Sequence, residues 1–303
     1  MHLALASLTN ACFDLWAKSR GVPLWRLLLD LDAKNVVDLL DLSYLEEVLP
    51  REEAEHILRD NASSRADREG VLRRGYPGYD TSVGWFQYGD DQVKNLTQQA
   101  IERGFHAFNL KVGSRDGERD VRSAFMLREL AGENALIMLD ANQQWSLPRA
   151  AEMCQRLRGV SPFFVEEPTH PDDIRAHRTL AEAIKPIPIA LGEHVPNRIM
   201  FKNFMQAGAM QIVQVDCTRV AGISEFLTVS LLARKFGLRV VPHVGDMGQI
   251  HQLVLFNHIA LGHEALFLQF LQCIPHLQPH FVNPTQIQNA SMSPRRPPVL
   301  LPI

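Results

Sequence analysis

Between Ala135 and His194 the chain alternates short apolar runs with amphipathic segments, and each run closes on an acid. Ala135–Leu139 leads into Asp140, Phe163–Val165 into Glu166, and Ile187–Gly192 into Glu193. Runs of this length between polar breaks predict buried parallel strands. The segments between them predict helices. Ser146 caps one whose Leu147, Ala150, Ala151, Cys154 and Leu157 share a face. Asp172 and Asp173 open the next, and Pro186 closes it.

The alternation continues on both sides. Upstream it predicts a strand over Tyr79–Trp85, a helix over Asp90–Arg103, a strand over Phe105–Gly113 that presents Lys111, and a helix from about Glu118 to Leu130. Downstream, Met210–Val215 runs into Asp216, Leu238–Pro242 into His243, and Leu266–Leu271 into Gln272. Positions 111, 140, 166, 193, 216 and 243 are separated by 29, 26, 27, 23 and 27 residues, the period of a strand–helix unit. The expected fold is α/β, a (β/α)7β TIM-like barrel with its chemistry at the strand C-termini. An open doubly wound sheet is the alternative, but no GxGxxG or GxxxxGK[ST] phosphate loop accompanies it.

The expected division is a helical segment over 1–75, the barrel over 76–272 and a tail over 273–303. In the first, Leu3–Lys18 forms a helix with Leu3, Leu8, Cys12, Leu15 and Trp16 as its packing stripe, stopped by Gly21 and Pro23. Arg51–Arg74 is charge-rich and reads as solvated helix. The tail from Pro275, rich in Pro, Gln and Ser, is expected to be poorly ordered.

Composition narrows the partners. With 303 residues, 46% of them hydrophobic, the chain buries a large core. A net charge of −3 argues against nucleic acid or an anionic membrane. No apolar run reaches the roughly 18 residues of a membrane span. Cys12, Cys154, Cys217 and Cys273 are scattered and form no CxxC, which points to reduced thiols. The expected location is cytoplasmic, with the mitochondrion as alternative because Met1–Arg20 is helical and poor in acids.

Three carboxylates one unit apart converge at one sheet edge, where they repel and tend to protonate. A divalent cation removes that conflict, and all-oxygen donors favour Mg²⁺. Asp140, Glu166 and Glu193 are therefore the expected metal ligands. Lys111 and His243 then stand as two bases across one ion, and Asp216, one unit before His243, orients the imidazole. That arrangement suits removal of the weakly acidic proton next to a carboxylate, with Lys111 lowered toward neutrality by the neighbouring cation.

Leu110-Lys-Val-Gly, Leu139-Asp-Ala-Asn-Gln, Val165-Glu-Glu-Pro-Thr, Leu191-Gly-Glu-His and Val241-Pro-His, with Gln214-Val-Asp between, resemble the mandelate racemase subgroup of the enolase superfamily. A Lys or His base working beside Mg²⁺ is an established feature of that superfamily, so the pairing itself is not new. More narrowly, Gly75–Trp85, Asn197–Lys202 and Gln206-Ala-Gly-Ala resemble the L-fuconate dehydratases. The likeness covers residues 1 to about 290. It implies that Lys111 takes the C2 proton of a small acid sugar. His243, held by Asp216, protonates the departing 3-hydroxyl, and the resulting enol becomes a 2-keto-3-deoxy acid. It further implies substrate contacts from Tyr76 and Asn142, a supporting role for Glu167, and a homo-oligomer.

Three positions depart from that pattern. Asn109 stands where the family carries the first lysine of Lys-x-Lys, and Gln272 where it offers a glutamate on strand eight; both are expected to face the substrate carboxylate. Met1 falls within the helical part of the family's capping domain, so only that part is expected here. Two other readings stay open: an enolase-type barrel that holds metal with little or no turnover, and a racemase or epimerase on the same scaffold.

Overall fold

The computed structural model describes residues 2–243, 250–264, 267–270 and 287–294. Six helices come first: α1 (His2–Ser19), α2 (Leu24–Leu29), α3 (Ala33–Asp38), α4 (Arg51–Asp60), α5 (Arg65–Arg68) and α6 (Val71–Arg74). Then strands and helices alternate. Strands β1 (Tyr76–Gly84), β2 (Ala107–Lys111), β3 (Leu136–Asp140), β4 (Phe164–Glu166), β5 (Ile189–Leu191), β6 (Ile212–Val213) and β7 (Arg239–Val240) are each followed by one helix. These are α7 (Asp90–Glu102), α8 (Gly117–Ala131), α9 (Leu147–Leu157), α10 (Ile174–Ala183), α11 (Arg198–Gln206), α12 (Ile223–Lys235) and α13 (Val254–Ile259). Strand β8 (Leu268–Phe270) pairs in parallel with β1, giving the order β8-β1-β2-β3-β4-β5-β6-β7, all parallel.

The sheet curls on itself because each strand sends one side chain to a common interior. Tyr79, Ala107, Met138, Phe164, Ala190, Ile212, Val241 and Phe267 form one buried cluster, with one residue on or next to each of the eight strands. Tyr79 and Phe267 stack at 5.1 Å between ring centroids, which brings the first and last strands together. A second, larger cluster lies between the strands and the helix layer. Burying one such phenylalanine stabilises the fold by roughly 1.5–3 kcal/mol. The expected (β/α)7β barrel is the fold.

Local capping follows the sequence in part. Asp173 accepts from Ala176 N at 2.8 Å and caps α10 as expected, but Ser146 precedes α9 without a side-chain cap. The buried face of α9 is Ala150, Met153, Cys154 and Leu157.

Of the expected stripe on helix α1, Trp16 packs against the core and the rest turns away. The buried residues of the helix are Ala6, Phe13 and Ala17, while Leu3, Leu8 and Leu15 are exposed and Cys12 faces out. The small residues let α1 approach the barrel closely, where Thr9 Oγ1 donates to Ala221 O at 2.9 Å and Asn10 Nδ2 to Cys217 O at 2.9 Å. Polar contacts, not leucines, decide which face docks. The tail differs as well: β9 (Ile287–Gln288) and β10 (Ser291–Met292) form a hairpin, and Met292 pairs with Tyr76 at the start of β1. This corrects the expectation of a disordered tail for the described residues.

Candidate active site at the barrel rim

Register places the first three functional residues side by side. Lys111 pairs with Asp140, and Asp140 with Glu166, so the ends of β2, β3 and β4 line up. Glu166 then pairs with Ala190, three residues before Glu193. Glu193 thus stands on the loop beyond β5, not at the strand end the spacing suggested. Gly192 makes that exit feasible: a Cβ there would lie 2.2 Å from the Gln214 carbonyl carbon, closer than any side chain tolerates. Asp216 and His243 likewise follow Val213 and Val240 by three residues, and those two pair with each other.

Each carboxylate is held by a group of this chain. Lys111 Nζ is ion-paired to Asp140 Oδ2. Asn109 Nδ2 donates to Glu166 Oε2 at 3.2 Å. Arg219 Nη2 donates to Glu193 Oε1 at 2.7 Å. Asp140, Glu166 and Asn109 are all buried. Across the barrel mouth, His243 Nδ1 lies 2.9 Å from Asp216 Oδ2, and its Nε2 lies 3.3 Å from Glu193 Oε2. Asp216 Oδ1 accepts from Thr218 N and Oγ1, both at 2.7 Å, which fixes the carboxylate toward the ring.

The electrostatics follow from crowding. Burial, joined by the charge of Asp140, pushes the Glu166 carboxyl well above its ordinary range, against the pull of Lys111. Burial draws Lys111 downward, but Asp140, Glu166 and Glu193 outweigh it and leave the ammonium raised. The lowering expected for Lys111 presupposes a cation among these carboxylates; the chain alone sets it the other way. His194 is raised by its hydrogen bond to Glu167, with Nδ1 2.7 Å from Oε1.

Two loops hold strained backbone at the rim. Asn142, Gln143 and Glu167 adopt φ of 43°, 66° and 42°, in the left-handed region that non-glycine residues rarely occupy. Asn142 N donates to Asp140 Oδ1 at 2.9 Å and Gln143 N to Glu167 O at 2.7 Å, so the turns are tied to the acids themselves. Gln143 Nε2 also reaches Glu167 Oε2 at 2.9 Å.

Lys111, Asn109, Asp140, Asn142, Glu166, Glu193, Asp216 and His243 therefore gather at one end of the barrel. Tyr76 does not. It opens β1 at the opposite end, beside Met292, eight residues before Gly84 closes the strand. The family resemblance implied a substrate contact, but strand direction carries it away from the rim. Gln272 lies outside the described residues.

The carboxylates of the expected metal trio do not all close on one another in the metal-free chain. Among the described residues, the group whose ligand atoms lie within 4.8 Å of one another is Glu167, Glu193 and His194, not Asp140, Glu166 and Glu193. Arg219 accounts for this by drawing Glu193 toward the His194 side, where Arg219 Nη1 stands 3.4 Å from His194 Nε2. Sequence reasoning misses Arg219, His194 and Trp85. Trp85 places its ring 5.6 Å from Lys111 Nζ. A cation three residues after Asp216, and a histidine directly after Glu193, were the available signals.

The donors at this rim still fit a hard divalent ion. Asp140, Glu166, Glu167 and Glu193 offer only oxygen, and Asp140 and Glu166 stand buried at adjacent strand ends, where their like charges crowd. Asp140, Glu166 and Glu193 would hold such an ion.

Known proteins resemble this chain in sequence and in fold. A profile described as enolase C-terminal domain-like matches residues 92–298. Human mitochondrial enolase superfamily member 1 is 40% identical over 304 residues, covering 98% of this chain and 68% of the human protein. Its crystal structure superposes with a TM-score of 0.92, at 39% identity and with the same coverage. L-galactonate dehydratase of Hypocrea jecorina is 37% identical over 298 residues, covering 95% of this chain and 65% of that protein. The structure of L-talarate dehydratase from Polaromonas sp. JS666, complexed with Mg and L-glucarate, gives a TM-score of 0.72 at 26% identity over 98% of this chain and 66% of that one.

Proposed function

The chain belongs to the enolase C-terminal domain-like family and fits its mandelate racemase subgroup, and from that premise we propose that it is a Mg²⁺-dependent acid-sugar dehydratase, a hydro-lyase. The carrying observation is the alignment of Lys111, Asp140 and Glu166 at adjacent strand ends, with the His243–Asp216 pair on the far side of the barrel mouth. Within that class we propose L-fuconate as substrate, on the resemblance of Gly75–Trp85 and Asn197–Lys202 to the L-fuconate dehydratases. Two relatives whose names specify dehydratases of other acid sugars support the reaction type.

Each residue then has a task. Asp140, Glu166 and Glu193 would hold a divalent ion, which would supply positive charge against the negative charge that develops on the substrate carboxylate. Lys111 Nζ, freed from Asp140 and in its neutral amine form, accepts the proton from C2. The electron pair left at C2 expels the 3-hydroxyl as the C3–O bond breaks. His243 Nε2 donates the proton that turns that hydroxyl into water, and Asp216 stabilises the ring through Nδ1. The enol product tautomerises to the 2-keto-3-deoxy acid. Asn142 and Asn109 stand close enough to the acids to meet the substrate's polar end. The names of the vertebrate relatives favour a mitochondrial location.

The test is incubation with Mg²⁺ and a panel of acid sugars, L-fuconate first, with a 2-keto acid assay. Product from L-fuconate carries the full proposal, and product from another acid sugar only the dehydratase reading. No product from any sugar, with Mg²⁺ bound, overturns both. One observation favours a second reading, a barrel that binds metal without turnover: Asn109 brings a neutral amide to Glu166.

A further inference from the structure

Two consecutive residues at the start of α8 reach two different loops. Arg119 Nη2 donates to the carbonyl oxygens of Trp85, at 2.8 Å, and Tyr88, at 3.0 Å, and so grips the loop after β1. Asp120 accepts from Gly113 N and Ser114 N, both at 2.8 Å, and from Ser114 Oγ at 2.7 Å, and so grips the loop after β2. Arg119 Nη1 and Asp120 Oδ1 join the two grips at 3.1 Å. Asp120 is fully buried and the Arg119 side chain is only 12% exposed, so little water competes for these bonds.

What lies beyond each grip gives the arrangement its meaning. Trp85 carries the ring that faces Lys111 Nζ at 5.6 Å, a cation–π distance. Gly113 and Ser114 follow Lys111 by two and three residues. Gly113 has φ of 102°, and a Cβ there would meet Ala141 O at 2.6 Å, so this loop is also wedged against the turn after Asp140. One ion pair thus sets the position of the amine relative to the aromatic wall beside it.

Resting on the dehydratase reading above, we propose that Arg119 and Asp120 are positioning residues that hold Trp85 and Lys111 in register, so that the amine is aimed at the substrate C2. Neither touches the reacting atoms. The physical reason is geometric: a misplacement of about 1 Å at a reacting group costs roughly a hundred-fold in rate.

The experiment compares Arg119→Met, Arg119→Lys, Trp85→Leu and the double variant Arg119→Met/Trp85→Leu, using the full chain with Mg²⁺. Arg119→Met is expected to lower kcat by roughly ten- to a hundred-fold, with KM and Mg²⁺ affinity little changed. Arg119→Lys, which keeps a cationic donor, recovers part of the loss. The double variant turns over no more slowly than Trp85→Leu alone, because Arg119 acts through Trp85. Losses that multiply, or a kcat that Arg119→Met leaves intact, overturn the proposal. Hydrogen exchange supplies a readout that does not depend on turnover: in Arg119→Met, or Arg119→Lys if the first does not fold, residues 85–88 and 112–114 lose protection together. Protection lost in 85–88 alone overturns the coupling even if no acid sugar is a substrate, whereas loss in both without wild-type turnover overturns the dehydratase reading alone.

Discussion

His243 places Nδ1 2.9 Å from Asp216 Oδ2, and Thr218 holds the other oxygen of that carboxylate at 2.7 Å. The ring is thereby oriented with Nε2 toward the barrel mouth. Asp216→Asn keeps the shape but removes the charge that stabilises a protonated ring. The expected result is a kcat lower by about 10²–10⁴-fold, the range a positioned acid contributes, with Mg²⁺ affinity close to wild type. Steady-state kinetics and titration calorimetry check it, and a kcat within a factor of two of wild type contradicts the acid role.

Asn109 brings a neutral amide to the acids at the rim. Its Nδ2 bonds Glu166 at 3.2 Å, and its side chain is neutral. Asn109→Lys would add a charge-assisted contact to an acidic substrate, of about 1.5–3 kcal/mol when buried. Turnover of acid sugars should rise by at least about ten-fold in kcat/KM, since 1.4 kcal/mol is a factor of ten. An unchanged or lower value means that the amide is already suited to the substrate this chain takes.

Much of this was legible in the sequence, and the reasons differ by element. Lys111, Asp140 and Glu166 were readable because side chains at equal distances along parallel strands must align, and the register bears that out. Glu193 was identified at the right edge but on the wrong element, since an apolar run does not reveal that the chain leaves the sheet at Gly192 to pass the Gln214 backbone. Tyr76 rested on the motif resemblance alone, and as the first residue of β1 it stands at the end of the strand opposite the rim. The α1 stripe held only at Trp16: Leu3, Leu8 and Leu15 are exposed, and Asn10 and Thr9 supply hydrogen bonds on the docking side. Arg219, Arg119 and Asp120 act through contacts between distant loops, which periodicity cannot show.

The buried Glu166 carboxylate makes opposite demands with and without a cation. Its pKa is raised by burial and by Asp140, so a charged Glu166 destabilises the metal-free fold at neutral pH. A carboxyl raised in the folded state contributes full stability below its ordinary pKa and loses it as pH climbs through the folded value. Glu166→Gln, which mimics the neutral acid, should therefore unfold at higher urea than wild type in EDTA at pH 7. In saturating Mg²⁺ the order should reverse, since an ion at 100 times its Kd adds about 2.7 kcal/mol to the wild type alone. Urea curves for both proteins in both buffers check this; no crossover contradicts Glu166 as a ligand.

His263 sits between α13 and β8. His263 is buried, its Nε2 lies 3.0 Å from Ser230 O, and burial pulls its pKa from 6.5 down to about 4, with Arg234 and His258 acting in the same direction and the Ser230 bond opposing them. Between those two values the unfolded chain binds a proton that the folded chain refuses. The stability this histidine allows is fully present above pH 6.5 and declines as pH falls toward 4, by roughly 3 kcal/mol at about 1.4 kcal/mol per pH unit. Surface carboxylates also change over that range, so the informative quantity is the difference from His263→Gln, which cannot take up the proton. At pH 7.5 the variant should be the less stable, because glutamine replaces a well-packed ring. That gap should narrow steadily by pH 5. Urea unfolding of both proteins at pH 7.5, 6 and 5 measures it, and a gap that stays constant would show that His263 does not titrate differently in the two states.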